Sequence, residues 1–468
     1  MSITAGSGVE VVAIDTPALG DRSYLAHDGS AALVIDPQRD IDRVLALAAA
    51  RGVRVTHVFE THLHNDYVTG GLALARLTGA AYHVSAADAV AFDRVPAGDG
   101  DVIAVSPVMS VRALATPGHT FTHMSYVLLA AGHPHAVFSG GSLLYGSTGR
   151  PDLLGTAHAG ELARAQYASA GRLAAELPAD ADVYPTHGFG SFCSATQAEG
   201  TSSTIGAERA VNPVLTLDED MYVAQTLASL DAYPAYYAHM GPANAAGPAG
   251  PDLTPPRAEA AGLRRRIEAG EWVVDLRGRR AFAAGHLAGT LSFDLDGSFA
   301  TYLGWLIPWG TPLTLLGQTP EQVAEAQREL VRIGIDRPQA AAHGGPAAWA
   351  AEQPLRGYPV ADFAALAAVR HHRPVVIVDV RRNSEWDASH IDGAAHIPLH
   401  DLPARTGELP GGELWVHCQG GYRASVAASI LDAADRAVVA IDDDFDRAAR
   451  AGLPVTTSAA ASQASPPR

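Results

Sequence analysis

The stretch ETHLHNDY, residues 60 to 67, places His62, His64 and Asp66 on one loop just after an apolar run. Imidazoles at i and i+2 with a carboxylate at i+4 can turn inward around one cation where the backbone leaves a strand. An isolated HxH pair fits equally well a polar strand end whose rings bond to neighbouring backbone. Two further stretches share the grammar: ATPGHTFTH puts His119 after a strand and a proline-glycine turn, and VYPTHGFGS puts His187 after another. Three such loops make one site if their strands end at one sheet edge. Cys193, in GFGSFCSAT shortly after His187, is a candidate for a direct role in the same pocket, against the ordinary reading of a small buried hydrophobe.

A second chemistry is written in LWVHCQGGYRAS, residues 414 to 425. An apolar strand runs into a glycine-bearing loop and then an alanine-rich helix. Cys418 would sit at the loop's base with backbone N–H groups and a helix N-terminus turned toward its sulfur, a setting that favours the thiolate. Gly420, Gly421 and Tyr422 are candidate substrate contacts, and Arg423 can bind an oxyanion such as thiosulfate or sulfite through its planar fork. The C-x4-R spacing is one residue shorter than the C-x5-R loop of cysteine phosphatases, so sulfane-sulfur transfer is preferred over phosphate hydrolysis.

These groups need elements to position them. The chain begins with short β-rich runs (VEVVAI, AALVID, VRVTHVF, VRALAT, HMSYVLL, HAVFSG) alternating with the helical patterns IDRVLALAAARG and GELARAQYASAGRLAAEL, which predicts an α/β or α+β domain over residues 1–240. A proline- and glycine-rich stretch, 241–257, reads as a linker. Beyond it, VVDLRGRRAFAAGHLAGTLSF (273–293) overlays IVDVRRNSEWDASHIDGAAHI (377–397), which predicts two copies of one small domain at 258–350 and 358–455. Gly317 falls opposite Cys418, so the first copy cannot carry sulfur covalently, and its Asp275 and Arg277 are expected to fix a loop. RPQAAAHGGPAAWAAEQP reads as a second spacer and 456–468 as a disordered tail.

Composition narrows the function classes. A chain of 468 residues suggests about three domains. All 33 basic residues are arginine, which excludes lysine Schiff-base and P-loop chemistry. The net charge of −17 argues against nucleic acid as a partner, and two cysteines are too few for a disulfide scaffold. No stretch approaches the ~20 apolar residues of a membrane helix. MSITAGSGVEVV lacks the pattern of a secretory leader, so a cytoplasmic protein without membrane association is expected.

The motifs together resemble known families. THLHND, TPGHT and PTHG resemble the metallo-β-lactamase superfamily over roughly residues 10–230, which implies an αββα sandwich binding zinc or iron. HNDYVTGG, GRPDL and ERAVNP look most like its persulfide dioxygenase branch, which implies one Fe(II) per chain, with zinc as the alternative. The sequence departs from that pattern twice. Tyr67 stands where the family signature continues with histidine, which favours a mononuclear centre. Gly141, in VFSGGSLLYG, stands where the family carries a liganding aspartate, the other dioxygenase ligands matching His62 and His119. His64 is the favoured replacement because it shares the loop, with Asp66 or His187 moving in, or weak metal binding, as alternatives. VDVRRNSEW, SHIDGAAHIPL and HCQGGYRAS resemble a rhodanese, which implies that Cys418 is persulfurated; the copy at 258–350 is then a pseudo-rhodanese. The expected fold class is therefore α/β multidomain, a metallo-β-lactamase sandwich followed by two rhodanese-like α/β domains. The order resembles fused persulfide dioxygenase-sulfurtransferases of sulfide detoxification, which implies a small thiol persulfide, sulfite or thiosulfate as partners, and a homo-oligomer. A glyoxalase II-like thioester hydrolase and a non-oxidative sulfur carrier are the rival readings. The carrier thiol, glutathione or coenzyme A or another, is left open.

Overall fold

The computed structural model describes residues 8–196, 200–251, 254–295, 298–350 and 354–457. It divides into two compact units, Met1–Pro251 with Arg328–Ile335, and Asp252–Gln327 with Asp336–Arg468.

In the first unit, strands β1 (Glu10–Thr16), β2 (Asp21–His27), β3 (Ala31–Ile35), β4 (Arg54–Phe59), β5 (Ala81–Ser85) and β6 (Val95–Ala97) form one sheet in sequence order. A second sheet runs β12 (Ser203–Thr204), β11 (Asp182–Pro185), β10 (His133–Gly140), β9 (Met124–Ala130), β8 (Met109–Ala115) and β7 (Val102–Ala104). Alternation along the strands puts Tyr24, Phe59, Tyr126 and Phe138 between the sheets. Each such side chain contributes about 1.5–3 kcal/mol by leaving water. The outer faces carry helices. Val44 and Ala48, one turn apart on Asp42–Arg51, pack on the first sheet with Leu72 and Leu74 of Gly71–Thr78. Ala163, Ala170 and Leu173 of Ala159–Glu176 pack on the second. The layering is αββα, as expected.

Strand direction places the site. β8 is antiparallel to β9, β9 to β10, and β10 is parallel to β11, so β8, β10 and β11 all finish at one edge. Across the sandwich the loop after β4 meets that edge: Thr61 carbonyl accepts Met124 N–H at 2.7 Å, and Tyr126 donates its hydroxyl to the Glu60 carbonyl at 3.0 Å.

The second unit contains two further sheets. One runs β14 (Leu291–Ser292), β13 (Trp272–Asp275), β15 (Leu313–Gly317) and β16 (Ala340–His343), all parallel. The other runs β17 (Val360–Ala361), β22 (Val438–Ile441), β21 (Leu414–His417), β18 (Val376–Asp379) and β20 (Ala395–His396), also parallel, beside a ribbon of β19 (Ser389–Ile391) and β23 (Val455–Thr457).

The predicted repeat has the same wiring in both sheets. Arg277 folds back on Asp275 and donates Nη2–H to the Gly285 carbonyl at 2.8 Å; Arg381 does the same with Asp379 and the Ser389 carbonyl at 2.6 Å. His286 stacks on Phe282 and His390 on Trp386, each pair 3.9 Å between centroids. Asp275 and Arg277 are thus the loop-fixing pair that was expected.

Three expectations about connections change. The helix Tyr237–Ala246 runs through the first part of the expected linker 241–257, tolerating Pro242. The described part of the expected second spacer is folded: it contains β16 and the helix Pro346–Trp349, whose Trp349 is buried, and 351–353 lie outside the described residues. β23 takes the first residues of the expected tail, and 458–468 lie outside the described residues.

Candidate metal centre and cysteine loop

The structure brings His62, His64, His119, His187, Asp66 and Cys193 into one buried cluster. In four of the rings one nitrogen is engaged by a partner and the other is left for the cluster. Thr61 donates its hydroxyl to Asp36 at 2.7 Å, so it accepts His62 Nδ1–H at 2.9 Å and Nε2 keeps the lone pair. His119 Nδ1–H donates to the Arg150 carbonyl at 2.9 Å, and its Nε2 is buried without a partner. His64 Nε2 lies 2.9 Å from the Tyr67 hydroxyl and 3.3 and 3.4 Å from Asp36 and Glu60, leaving Nδ1 without a hydrogen bond and 4.0 Å from Asp66. His187 Nδ1–H donates to Asp21 at 2.9 Å with Asp66 at 3.2 Å, which turns Nε2 toward His62 Nε2, 3.4 Å away.

That last separation suits a shared cation. Ligand bonds of ~2.1 Å in a tetrahedron set nitrogens about 3.4 Å apart. Outer carboxylates, hydroxyls and carbonyls holding the far nitrogen are what metal-binding histidines need for orientation. Donor set and geometry therefore fit a bound cation.

Electrostatics divide the four rings into two pairs. Burial, and behind it the neighbouring rings, hold His62 and His119 far below the ordinary histidine range. Burial opposes charge on His64 too, yet Asp36 and Glu60 carry it up to about 9. For His187, burial is again outweighed, by Asp66 and Asp21, to about 10. Burial and the Asp66 carboxylate push Asp21 up to about 7. Burial, then Asp66 and Asp21, push the Cys193 thiol up.

Sequence reasoning missed several members. Asp36, the last residue of AALVID, accepts from Thr61 N–H at 2.7 Å and from the Thr186 hydroxyl at 2.5 Å, tying the loops after β4 and β11 together. His123, the final residue of ATPGHTFTH, is buried beside His62, but its Nε2 accepts Gly141 N–H at 3.0 Å and its Nδ1 faces Thr116. It shapes the turn and has no nitrogen left for a cation.

Gly141 is explained by packing. A Cβ there would lie 2.4 Å from His119 Cδ2, and one at Gly149 would lie 2.6 Å from His119 Nδ1. Two glycines thus clasp the ring, and a side chain at 141 needs the space His119 occupies. Gly141→Ala should cost about 1–3 kcal/mol by overpacking and lower bound metal per chain. Thermal unfolding with metal analysis checks both; unchanged values would contradict this ring position.

The cysteine loop forms as expected. Cys418 Sγ accepts Gly421 N–H at 3.1 Å and Ala424 N–H at 3.4 Å, at the start of the helix Tyr422–Ala433. Gly421 has φ 91°, and a Cβ there would meet Asp442 Oδ1 at 2.4 Å. Gly420 is open to solvent, and Tyr422 sends its hydroxyl to the Asp294 carbonyl at 3.4 Å. The arginine departs from expectation. Arg423 spends its fork on Glu385, at 2.6 and 2.7 Å, so its guanidinium end is filled by a carboxylate from this domain. Gly317 matches Cys418, and a Cβ there would meet Val323 Cγ2 at 2.8 Å.

Burial would raise Glu385, but Arg423 brings it down to about 2 from its ordinary 4.5. A depressed carboxylate contributes stability above its unfolded pKa and loses it as pH falls through the folded value. The contribution is therefore complete above about pH 4.5 and fades toward pH 2. Glu385→Gln should destabilise the domain by about 2–3 kcal/mol at neutral pH and flatten that acid limb, as read by thermal unfolding against pH. An unchanged acid limb would contradict it.

The comparisons agree with this architecture. The metallo-beta-lactamase superfamily model matches residues 19–187, and the rhodanese-like domain model matches 363–450. Human mitochondrial persulfide dioxygenase ETHE1 is 31% identical over 208 residues, 44% of this chain and 72% of that protein. The hydroxyacylglutathione hydrolase of Polaromonas sp. is 36% identical over 162 residues, 34% of this chain and 57% of that protein. The chain thus spans little more than half the length of some of its curated relatives. A solved metallo-beta-lactamase from Staphylococcus aureus superposes with a TM-score of 0.64 at 26% identity, covering 72% of this chain and 99% of that one. The chain belongs to the metallo-β-lactamase superfamily. Within it, this is a metallo-β-lactamase domain with persulfide dioxygenase homologues, joined to a C-terminal rhodanese-like domain. Fold and relatives imply a metal site, for which the histidine cluster supplies the candidate ligands.

Proposed function

We propose that the first unit oxidises a low-molecular-weight thiol persulfide to sulfite at a single iron, and that Cys418 moves sulfane sulfur between a persulfide and sulfite. The observation that carries this reading is the gathering of four buried imidazoles, their far nitrogens engaged, into two ligand sets that share His187, one with His62 and His64 and the other with His119 and Cys193. The persulfide dioxygenase relatives and the rhodanese-like domain support a role in sulfur metabolism.

The overall oxidation balances as RSSH + O2 + H2O giving RSH, SO3²⁻ and two protons. His62, His64, His119 and His187 are the rings from which the ion would draw its ligands, with Asp66 beside them. Bound Fe(II) supplies a place where O2 and the persulfide sulfur meet. The Asp36 and Asp21 carboxylates and the Arg150 carbonyl keep the rings aimed, and the closed sandwich edge excludes water. At the second site the Cys418 thiolate attacks the outer sulfur of RSSH, forming Cys418–S–SH and releasing RS⁻. Sulfite then attacks that outer sulfur, returning the thiolate and giving thiosulfate. Backbone N–H groups of Gly421 and Ala424 stabilise the thiolate between steps.

The copy at 258–350 acts as a pseudo-rhodanese, sharing the Asp-Arg wiring but having no room for a side chain at Gly317. A tether keeps each product at high effective concentration for the other site. No described helix is long and apolar enough to cross a membrane. We take the protein to act in the cytoplasm as a homo-oligomer on small persulfides, sulfite and thiosulfate.

The hydroxyacylglutathione hydrolase relatives favour a second reading, a zinc-dependent thioester hydrolase. Tyr67 and Gly141 stand where a dinuclear site would need ligands, which ranks it second. An oxygen electrode with iron-loaded protein and a small thiol persulfide separates the readings. Oxygen uptake with sulfite formation is expected; thioester cleavage without uptake would establish the hydrolase, and neither activity would leave a sulfur carrier.

A further inference from the structure

Cys193 reaches the cluster from the loop that follows His187. Its Sγ and ring nitrogens of His119 and His187 lie within 4.8 Å of one another, all three residues buried. The backbone of residue 150 links two of them: its carbonyl accepts His119 Nδ1–H, and its N–H donates to the Cys193 carbonyl at 2.8 Å. Cys193 N–H donates to Ser191 Oγ at 3.2 Å. The Arg150 side chain, clasped by Asp152, donates to the Phe192 carbonyl at 3.3 Å. The segment carrying the thiol is thus pinned on both sides. Independently, His119 Nε2 is fully buried with no hydrogen-bond partner, and its Nδ1 is committed to Arg150, so Nε2 is the atom offered to this group.

We propose that Cys193 Sγ is a ligand of the centre, supplying with His119 and His187 the anionic donor that Gly141 cannot. This rests on reading the histidine cluster as a metal centre. On binding, a metal–sulfur bond forms, the S–H bond breaks and its proton leaves; nothing is oxidised. A thiolate carries the single negative charge a carboxylate would, but it is softer, and it selects iron, cobalt or zinc over magnesium or manganese. Cys193 then belongs to ion retention and is not a second sulfur carrier.

The test uses the full-length Cys418→Ser protein, in which Cys193 is the single thiol, loaded anaerobically with one equivalent of Co(II). A near-ultraviolet sulfur-to-cobalt charge-transfer band is expected. Adding Cys193→Ser should abolish that band while the visible cobalt bands from the histidines persist. Should the double variant fail to fold, the band in its single-thiol parent decides alone. Cobalt bound without the band, or a band that survives Cys193→Ser, overturns the inference and leaves the histidine centre standing. No cobalt binding in the parent overturns both.

Discussion

Cys418→Ser should abolish sulfur transfer from thiosulfate to a thiol acceptor, by at least ~10³-fold, while oxygen uptake with a thiol persulfide continues. The sulfur of Cys418 is the atom that accepts two backbone N–H groups at the start of the Tyr422–Ala433 helix. A hydroxyl in that cradle is neither nucleophilic enough to take up sulfane sulfur nor able to hold it as a persulfide. The change is nearly isosteric, so the loop and the Glu385–Arg423 pair should survive it. Stopped-assay determination of the released sulfite gives the first readout, an oxygen electrode the second. Equal loss of both activities would contradict two separate sites.

His62→Ala should remove at least ~100-fold of metal affinity, because loss of a mere outer-shell partner already costs 10–100-fold. His62 is the expected ligand whose ring faces His64, His119 and His187 at once. Asp36→Asn should fall inside the smaller range, since Asp36 acts on the cluster as an outer partner of Thr61, Thr186 and His64. His123→Asn provides the contrast: both of its nitrogens are spent on Gly141 and Thr116, so metal per chain should fall less than in His62→Ala. Metal content after gel filtration at fixed free iron measures all three. Identical losses for His62 and His123 would contradict the division into ligand and support.

What could be read beforehand was local. HxHxD, PGH and PTHG announce the cluster because each motif is a strand end carrying a ligand atom, and the cysteine loop because its glycines and helix are contiguous with Cys418. The partners that aim those atoms come from far along the chain. Asp36 reaches Thr186, Asp21 reaches His187, and Glu385 fills the Arg423 fork that the sequence assigns to an oxyanion. No periodicity reports such pairs. The folded second spacer was hidden by composition: AAAH is a poor strand by propensity, yet β16 forms because β15 offers a parallel edge and Ala340 fits under Leu316 and Trp349. The repeat was legible because Asp275 and Asp379 begin the same local hydrogen-bond circuit.

The loss expected of His62→Ala, and the oxygen uptake expected to survive Cys418→Ser, both depend on the first unit holding one cation among imidazoles from separate loops. The most direct measurement is the identity and stoichiometry of metal in full-length protein purified without oxygen or chelators. One iron per chain, lost on His62→Ala, is the predicted result. A protein that emerges empty and takes up neither iron nor zinc when they are supplied would contradict the account, leaving only the thiol chemistry of Cys418.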